Sequence, residues 1–183
     1  MDEKSQIRYT SAVAQTALVV LIPELESLLG GWRRGHTNDG ARGMPPHVTL
    51  TIPFADSSEV DQLLEPVRRV VGTFAPFESV LRETARFTGL LYLRPEPSEP
   101  FAALTEALLE AFPDYPPYGG EFHDVVPHVT VAKAHGEILE AAEQELQAHL
   151  PVRFRVERVW LVEDTPQGWR RHTAFPLERL KLA

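Results

Sequence analysis

The sequence predicts two βαβ-type halves related by a pseudo-twofold, with equivalent strands facing a shared cleft. Three observations predict it. The string Pro46-His47-Val48-Thr49-Leu50 returns as Pro127-His128-Val129-Thr130-Val131. An apolar strand, a Pro-Glu pair and a helical stretch precede each copy in the same order. The segments Leu18–Glu24 and Leu90–Glu96 are offset by 72 residues and the His motifs by 81, which places about nine extra residues in the Pro- and Gly-rich loop Pro113–Val126. A surface loop tolerates such an insertion.

The elements follow in order. Leu18–Ile22 reads as a buried strand, and Pro23-Glu24 opens a helix through about Arg34, with Pro suited to a first turn. A polar, Gly-containing loop leads through Pro45-Pro46 into the first His strand. Ser57 or Ser58 is placed to cap a helix over Val60–Val71, and Pro66 inside it predicts a kink or a late start. Phe77–Thr84 reads as a strand. In the second half, Leu90–Leu93 is a strand and Glu99–Phe112 a helix, and a loop then leads to the second His strand. Glu137–Leu150 reads as a helix, Val152–Val162 as one alternating strand, and Arg170–Leu177 as a last strand.

Composition sets bounds on function. At 183 residues, 43% apolar and 24% charged, the chain has the make-up of one soluble globular unit. The absence of cysteine excludes disulfides, thiolate zinc sites and cysteine nucleophiles. The charged N-terminus and the lack of any long apolar run predict a soluble, cytoplasmic protein with no membrane partner. A net charge of −8 argues against a surface that tracks a long phosphate backbone, so a nucleic-acid substrate is expected at an end or as a short fragment.

The chemistry lies in the duplicated motif. Alternation along a strand puts His47 with Thr49, and His128 with Thr130, on one face, while Val48, Leu50, Val129 and Val131 anchor the strands from behind. Phosphodiester cleavage needs a base for the nucleophile and an acid for the departing oxygen on opposite sides of phosphorus. Two imidazoles titrating near neutrality fill both roles without a metal, and the two hydroxyls can donate to the non-bridging oxygens. Pro46 and Pro127 fix how the chain enters each strand without forfeiting an interior ladder bond. His36, His123, His135, His149 and His172 are not followed two residues on by Thr or Ser and are read as surface or structural.

With these two His-x-Thr motifs and the repeated strand-helix order, the chain from Leu18 to about Leu177 resembles the two-histidine phosphoesterase superfamily, in its branch of 2'-5' RNA ligases and RNA 2',3'-cyclic phosphodiesterases. The resemblance implies an α+β, bilobal, pseudo-twofold fold with antiparallel sheets around a central cleft, over one domain spanning 1–183 with 1–12 as a flexible arm. It implies His47, Thr49, His128 and Thr130 as the catalytic quartet, with no metal and no cofactor. It further implies a monomer without an obligate protein partner, acting on RNA ends or small nucleotides that carry a cyclic phosphate. Relatives often have Arg five residues after the second His; here Lys133 stands there, a point charge without the bidentate fork. Strict alternation would turn Lys133 away from the His face unless the strand ends first. Phe122, or as second choice Tyr118, would stack on a base.

Two other readings are weighed. A metal-dependent phosphohydrolase built on His123-Asp124 conflicts with the extended Val125-Val126-Pro127 that follows. A binding module without turnover is countered by the retention of both His and both Thr. Hydrolysis and 2'-5' ligation differ only in the nucleophile, and the same four residues serve either.

Overall fold

The computed structural model describes residues 15–121 and 125–179, and the predicted arm 1–12 lies outside them. The first half runs from β1 (Gln15–Leu21) through a 3-10 turn at Pro23–Leu25 to α1 (Glu26–His36) and a short α2 (Asn38–Ala41). β2 (His47–Thr51) carries the first motif, and a 3-10 turn (Val60–Leu63), α3 (Leu64–Gly72) and β3 (Phe77–Phe87) follow. The second half runs β4 (Leu90–Glu96), α4 (Glu99–Ala111), a 3-10 turn at Pro117–Gly120 and β5 (Val129–Lys133). α5 (Glu137–Gln147), β6 (Val152–Val156), β7 (Arg158–Thr165) and β8 (Gly168–Pro176) complete it.

Pro66 acts as a late start: it falls in the first turn of α3, where its missing N–H costs no intrahelical bond. Neither Ser57 nor Ser58 caps the preceding 3-10 turn, whose flanking residue Glu59 makes no side-chain cap. Ser57 instead hydrogen-bonds the Glu163 carboxylate, which with Arg170 holds that acid below its ordinary range against the effect of burial.

All strands join one eight-stranded sheet in the order β6-β3-β4-β5-β2-β1-β7-β8, and every pairing is antiparallel. One sheet face is covered by the apolar stripes of the helices. Leu29 of α1, Val67 and Val71 of α3, Phe101, Leu104 and Leu108 of α4, and Leu139 of α5 pack there against Leu18, Val48, Leu50, Leu91, Leu93, Val129 and Val131. Each large apolar side chain fully buried in this way contributes about 1.5–3 kcal/mol, so the motif strands are anchored from behind by their own alternate residues.

The expected single strand Val152–Val162 is two strands. β6 pairs with β3 at one edge, whereas β7 pairs with β1 and β8 near the other, and only Glu157 separates them. Six strand spacings of a flat sheet would span about 29 Å, while the chain from Val156 to Arg158 reaches at most about 7 Å. The sheet must therefore curl until its two ends approach. The sequence carries the mark of this break, because buried positions fall on Phe154 and Val156 before it and on Val159 and Leu161 after it, a change of phase.

The central neighbours β2 and β5 pair through Val48 and Val129, the same position of the two motifs. A residue paired with its own counterpart marks the pseudo-twofold axis. Both strands then bulge at equivalent points: Val19 faces Thr49 but Leu18 faces Thr51, leaving Leu50 over, and Tyr92 faces Thr130 but Leu91 faces Ala132, leaving Val131 over. These registers correct the repeat offset. Val19 corresponds to Tyr92, 73 residues apart, so with motifs 81 apart the loop insertion is eight residues and not nine. A one-residue slip exchanges sheet faces, and the unbroken apolar run of β1 offers no alternation by which sequence could set the phase.

Candidate active site

Continuing the antiparallel register one residue to each side of the Val48–Val129 pair brings His47 opposite Thr130 and Thr49 opposite His128. Directly opposed Cβ atoms lie about 4.5–5.5 Å apart. Each imidazole thus has the other motif's hydroxyl as its cross-strand neighbour. Val48, Leu50, Val129 and Val131 are fully buried on the opposite face, while His47, Thr49, His128 and Thr130 are half-buried on the motif face.

The two rings are held in the same way. Nδ1 of His47 lies 2.8 Å from the Pro45 carbonyl and Nδ1 of His128 lies 2.7 Å from the Val126 carbonyl. A carbonyl only accepts, so each Nδ1 carries the proton and donates it; in the neutral ring Nε2 is then the free lone pair. The prolines at 46 and 127 lie between donor ring and acceptor in both motifs.

The electrostatics differ between the two rings. His47 is 10% exposed, and burial together with the Arg33 guanidinium depresses it from 6.5 to about 4, against the opposing pull of Asp39 and the Pro45 bond. His128 is also lowered, by burial and by Lys133, with its Val126 bond opposing. Both rings are therefore biased toward the neutral form, His47 more firmly.

Sequence reasoning missed Arg33 and Asp39. Arg33 is 1% exposed; its Nη2 donates to Asp39 Oδ2 at 2.6 Å and its Nη1 to the Thr130 carbonyl at 2.7 Å. Asp39 Oδ2 in turn lies 3.9 Å from Nε2 of His47. Burial opposes the ionisation of Asp39, yet Arg33, His47 and a hydrogen bond from Thr37 hold its carboxyl below the usual range. One buried cation thus ties α1 to β5 and, through Asp39, to α2 beside His47. The available signal was Arg33 at the third position of an i, i+4, i+8 series after Leu25 and Leu29, a charge on an apolar stripe. Asp39 had a weaker one, the Thr37-Asn38-Asp39-Gly40 string in which the Thr37 hydroxyl accepts from the Gly40 N–H and caps α2.

Lys133 lies at the end of β5 opposite Leu90. Alternation alone would turn it from the histidines, but the bulge that places both Val131 and Ala132 against the core restores it to the motif face. Its charge acts on His128. Tyr118 reaches the motif: its hydroxyl is hydrogen-bonded to Thr49, and burial raises its pKa against that bond. It holds a left-handed φ of 53°, uncommon for a bulky residue. Phe122, like His123 and Asp124, lies outside the described residues. Of the other histidines, His36 stacks on Trp32, Nδ1 of His149 donates to the Glu145 carbonyl, and His172 contacts Thr173. Among the described residues no group of three or more His, Asp or Glu side chains is placed to hold a metal ion, and no helix is long and apolar enough to cross a membrane.

The surroundings of the two motifs are unequal. On the His47 side, Met44 packs over Ala17, Val19 and Val162, and Arg171 lies 5.1 Å above the Trp160 ring. On the His128 side the rings of Tyr92 and Phe87 stand edge-on to the imidazole, at 5.5 and 5.9 Å between centroids.

The sequence profile of the 2'-5' RNA ligase superfamily matches residues 22–167, a span that contains both His-x-Thr motifs. The chain belongs to that superfamily. No curated protein matches it by sequence. Among solved structures, TT0787 of Thermus thermophilus superposes with a TM-score of 0.61 at 20% identity, over 90% of this chain and 98% of that one. LigT of E. coli complexed with 3'-AMP gives 0.60 at 14% identity, again over 90% and 98%. A phosphoesterase crystal structure gives 0.59 at 15% identity, over 89% and 98%. At these identities the likeness is one of fold: the single curled antiparallel sheet is that of the 2'-5' RNA ligase superfamily, and the resemblance read from the two motifs is borne out at that level.

Proposed function

We propose that the protein is a metal-independent phosphodiesterase that opens 2',3'-cyclic phosphates at RNA ends or on short nucleotides. The observation that supports this reading is the reciprocal register of the motifs, in which each imidazole stands across from the other strand's threonine while its Nδ1 is held by a backbone carbonyl. A phosphate seated there meets a base, an acid and two hydroxyl donors.

In the proposed reaction, Nε2 of His47, neutral at pH 7 because its pKa is about 4, accepts a proton from water as the water oxygen bonds to phosphorus. The P–O3' bond breaks in line, and His128, protonated at Nε2, donates that proton to the departing O3'. The product is a 2'-phosphate with a free 3'-hydroxyl, and the proton returns from His47 to solvent and from solvent to His128. The bound phosphate's negative charge raises the affinity of both rings for protons, which favours the charged form of His128. Thr49 and Thr130 donate to the non-bridging oxygens as their charge redistributes. Lys133, on the same face, adds a positive charge at the His128 end.

Superfamily membership also supports the related ligation, in which a ribose hydroxyl replaces water as nucleophile, and a site that binds RNA ends without turnover. Incubation with adenosine 2',3'-cyclic phosphate, with product identification, separates the three. Hydrolysis to the 2'-phosphate, unaffected by EDTA, is the expected result. His47→Ala or His128→Ala should each remove most turnover, and the double variant should be little worse than either single, because groups acting as one unit are not additive. Full activity in either single variant would overturn the mechanism.

A further inference from the structure

The open aromatic surface beside His128 has no role in the chemistry above. Phe87 is the last residue of β3, opposite Leu90 across the hairpin that leads into β4, and Gly89 turns this hairpin at φ +71°. Alternation sorts the strand into two faces. Thr84 and Arg86 bond Glu143 of α5 on the helix-covered side, so Phe87 projects from the motif face, where Leu90, Tyr92 and Lys133 also lie. Its ring lies nearly parallel to that of Tyr92, with centroids 4.4 Å apart and planes at 23°, and perpendicular to that of His128. Tyr92 is 7% exposed, yet Phe87 above it is 44% exposed, the largest exposure of a large hydrophobic side chain among the described residues.

A phenyl ring whose underside is filled by Tyr92 and whose edge abuts a site histidine has one free aromatic face. We infer that Phe87 is the platform on which the substrate's nucleobase stacks, so that the nucleoside lies on the His128 side of the phosphate and the water on the His47 side. The inference rests on the phosphodiesterase reading for its substrate. The ligand chemistry follows from the surface: a flat, neutral aromatic face takes any purine or pyrimidine by stacking, without reading its hydrogen-bonding edge. The two sides of the site agree with this orientation. The His47 side holds the more deeply buried imidazole and packs Met44, 4% exposed, against Ala17, Val19 and Val162, whereas the His128 side presents the exposed ring of Phe87. With the nucleoside on the His128 side, the departing O3' belongs to the ribose nearest the imidazole assigned as its acid.

The test uses the full chain with two substrates: adenosine 2',3'-cyclic phosphate, and methyl riboside 2',3'-cyclic phosphate, which keeps the ribose and phosphate and lacks the base. Phe87→Ala should raise KM for the adenosine compound about 5- to 150-fold, the range of one lost base stack, with kcat within about two-fold, since stacking is alike in ground and transition states. Kinetics on the baseless compound should be unchanged. Phe87→Trp should restore tight binding, whereas Phe87→Leu, which still covers Tyr92, should behave as the alanine variant does. Equal KM rises on both compounds, or a shifted pH profile on both, would mean that Phe87 only positions His128 and would overturn the platform. Calorimetric binding of adenosine 2'-monophosphate keeps the platform testable apart from the chemistry. Binding that weakens in Phe87→Ala while neither cyclic phosphate is turned over would uphold the platform and sink the phosphodiesterase reading; turnover with Phe87-independent binding would do the reverse.

Discussion

Replacing Arg33 by methionine tests how the buried cation organises the site. The guanidinium is 1% exposed, and its removal strands the Asp39 carboxylate at 2.6 Å and the Thr130 carbonyl at 2.7 Å. Breaking a buried ion pair by deleting one partner costs about 3–5 kcal/mol. Asp39 is 30% exposed and partly solvated, which puts the expected loss near the lower end, about 3 kcal/mol. Urea unfolding followed by far-ultraviolet circular dichroism at pH 7 measures it, and a constant m-value certifies that stability alone has changed. Deleting both charges in Arg33→Met/Asp39→Leu should recover most of the loss, because an apolar pair of similar volume leaves no stranded charge. The kinetic readout is independent of stability. Arg33 depresses His47, so its removal raises the imidazole's pKa and should move the acid limb of the pH–rate profile to higher pH. A loss below about 1 kcal/mol in the single variant, or an acid limb that stays in place in a folded variant, would refute this account of Arg33.

Thr49→Val and Thr130→Val keep the β-branched shape and delete the hydroxyl, so each should slow turnover about 10- to 1000-fold; Thr130→Val should leave the melting temperature unchanged, whereas Thr49→Val also removes the partner of the buried Tyr118 hydroxyl and should lower it, and a fall in the activity of Thr130→Val that tracks its melting temperature would make that hydroxyl structural. Stability should also fall with acid over a defined window. Because the folded His47 has a pKa of about 4 against 6.5 for the free side chain, the unfolded chain binds the extra proton first. Stability is then undiminished above about pH 6.5 and declines toward pH 4, by about 3 kcal/mol from this residue. His47→Asn should flatten that part of the unfolding curve, and an unchanged slope between wild type and variant would contradict the burial assigned to His47.

The constellation of two histidines and two threonines was legible because every step toward it is local. A duplicated string, prolines at strand entry and period-two alternation place His47 with Thr49 and His128 with Thr130 before any long-range contact is known. The helices were equally readable from their apolar periodicity, and of the kink or late start that Pro66 allowed in α3 the structure shows the late start. What failed to read were features of phase. The apolar run of β1 has no alternation, so its repeat offset slipped by one. The extended stretch after Leu150 looked continuous because a strand that leaves one partner for another at Glu157 keeps its extended backbone.

By itself, the sequence determined the duplicated histidine and threonine motifs, the face each pair shares, most of the strand and helix order and the superfamily. Only the tertiary structure decided how the halves meet: Val48 against Val129, each histidine across from the other motif's threonine, and the bulge that returns Lys133 to the motif face. It also brought Arg33 and Asp39 beneath His47 and set Phe87 beside His128, contacts between residues far apart in the chain or on different elements. The division has a physical cause. Side-chain periodicity and turn chemistry act over a few residues and are written in the order of the amino acids, whereas strand register, sheet curl and the desolvation that depresses His47 depend on what packs from elsewhere in the chain.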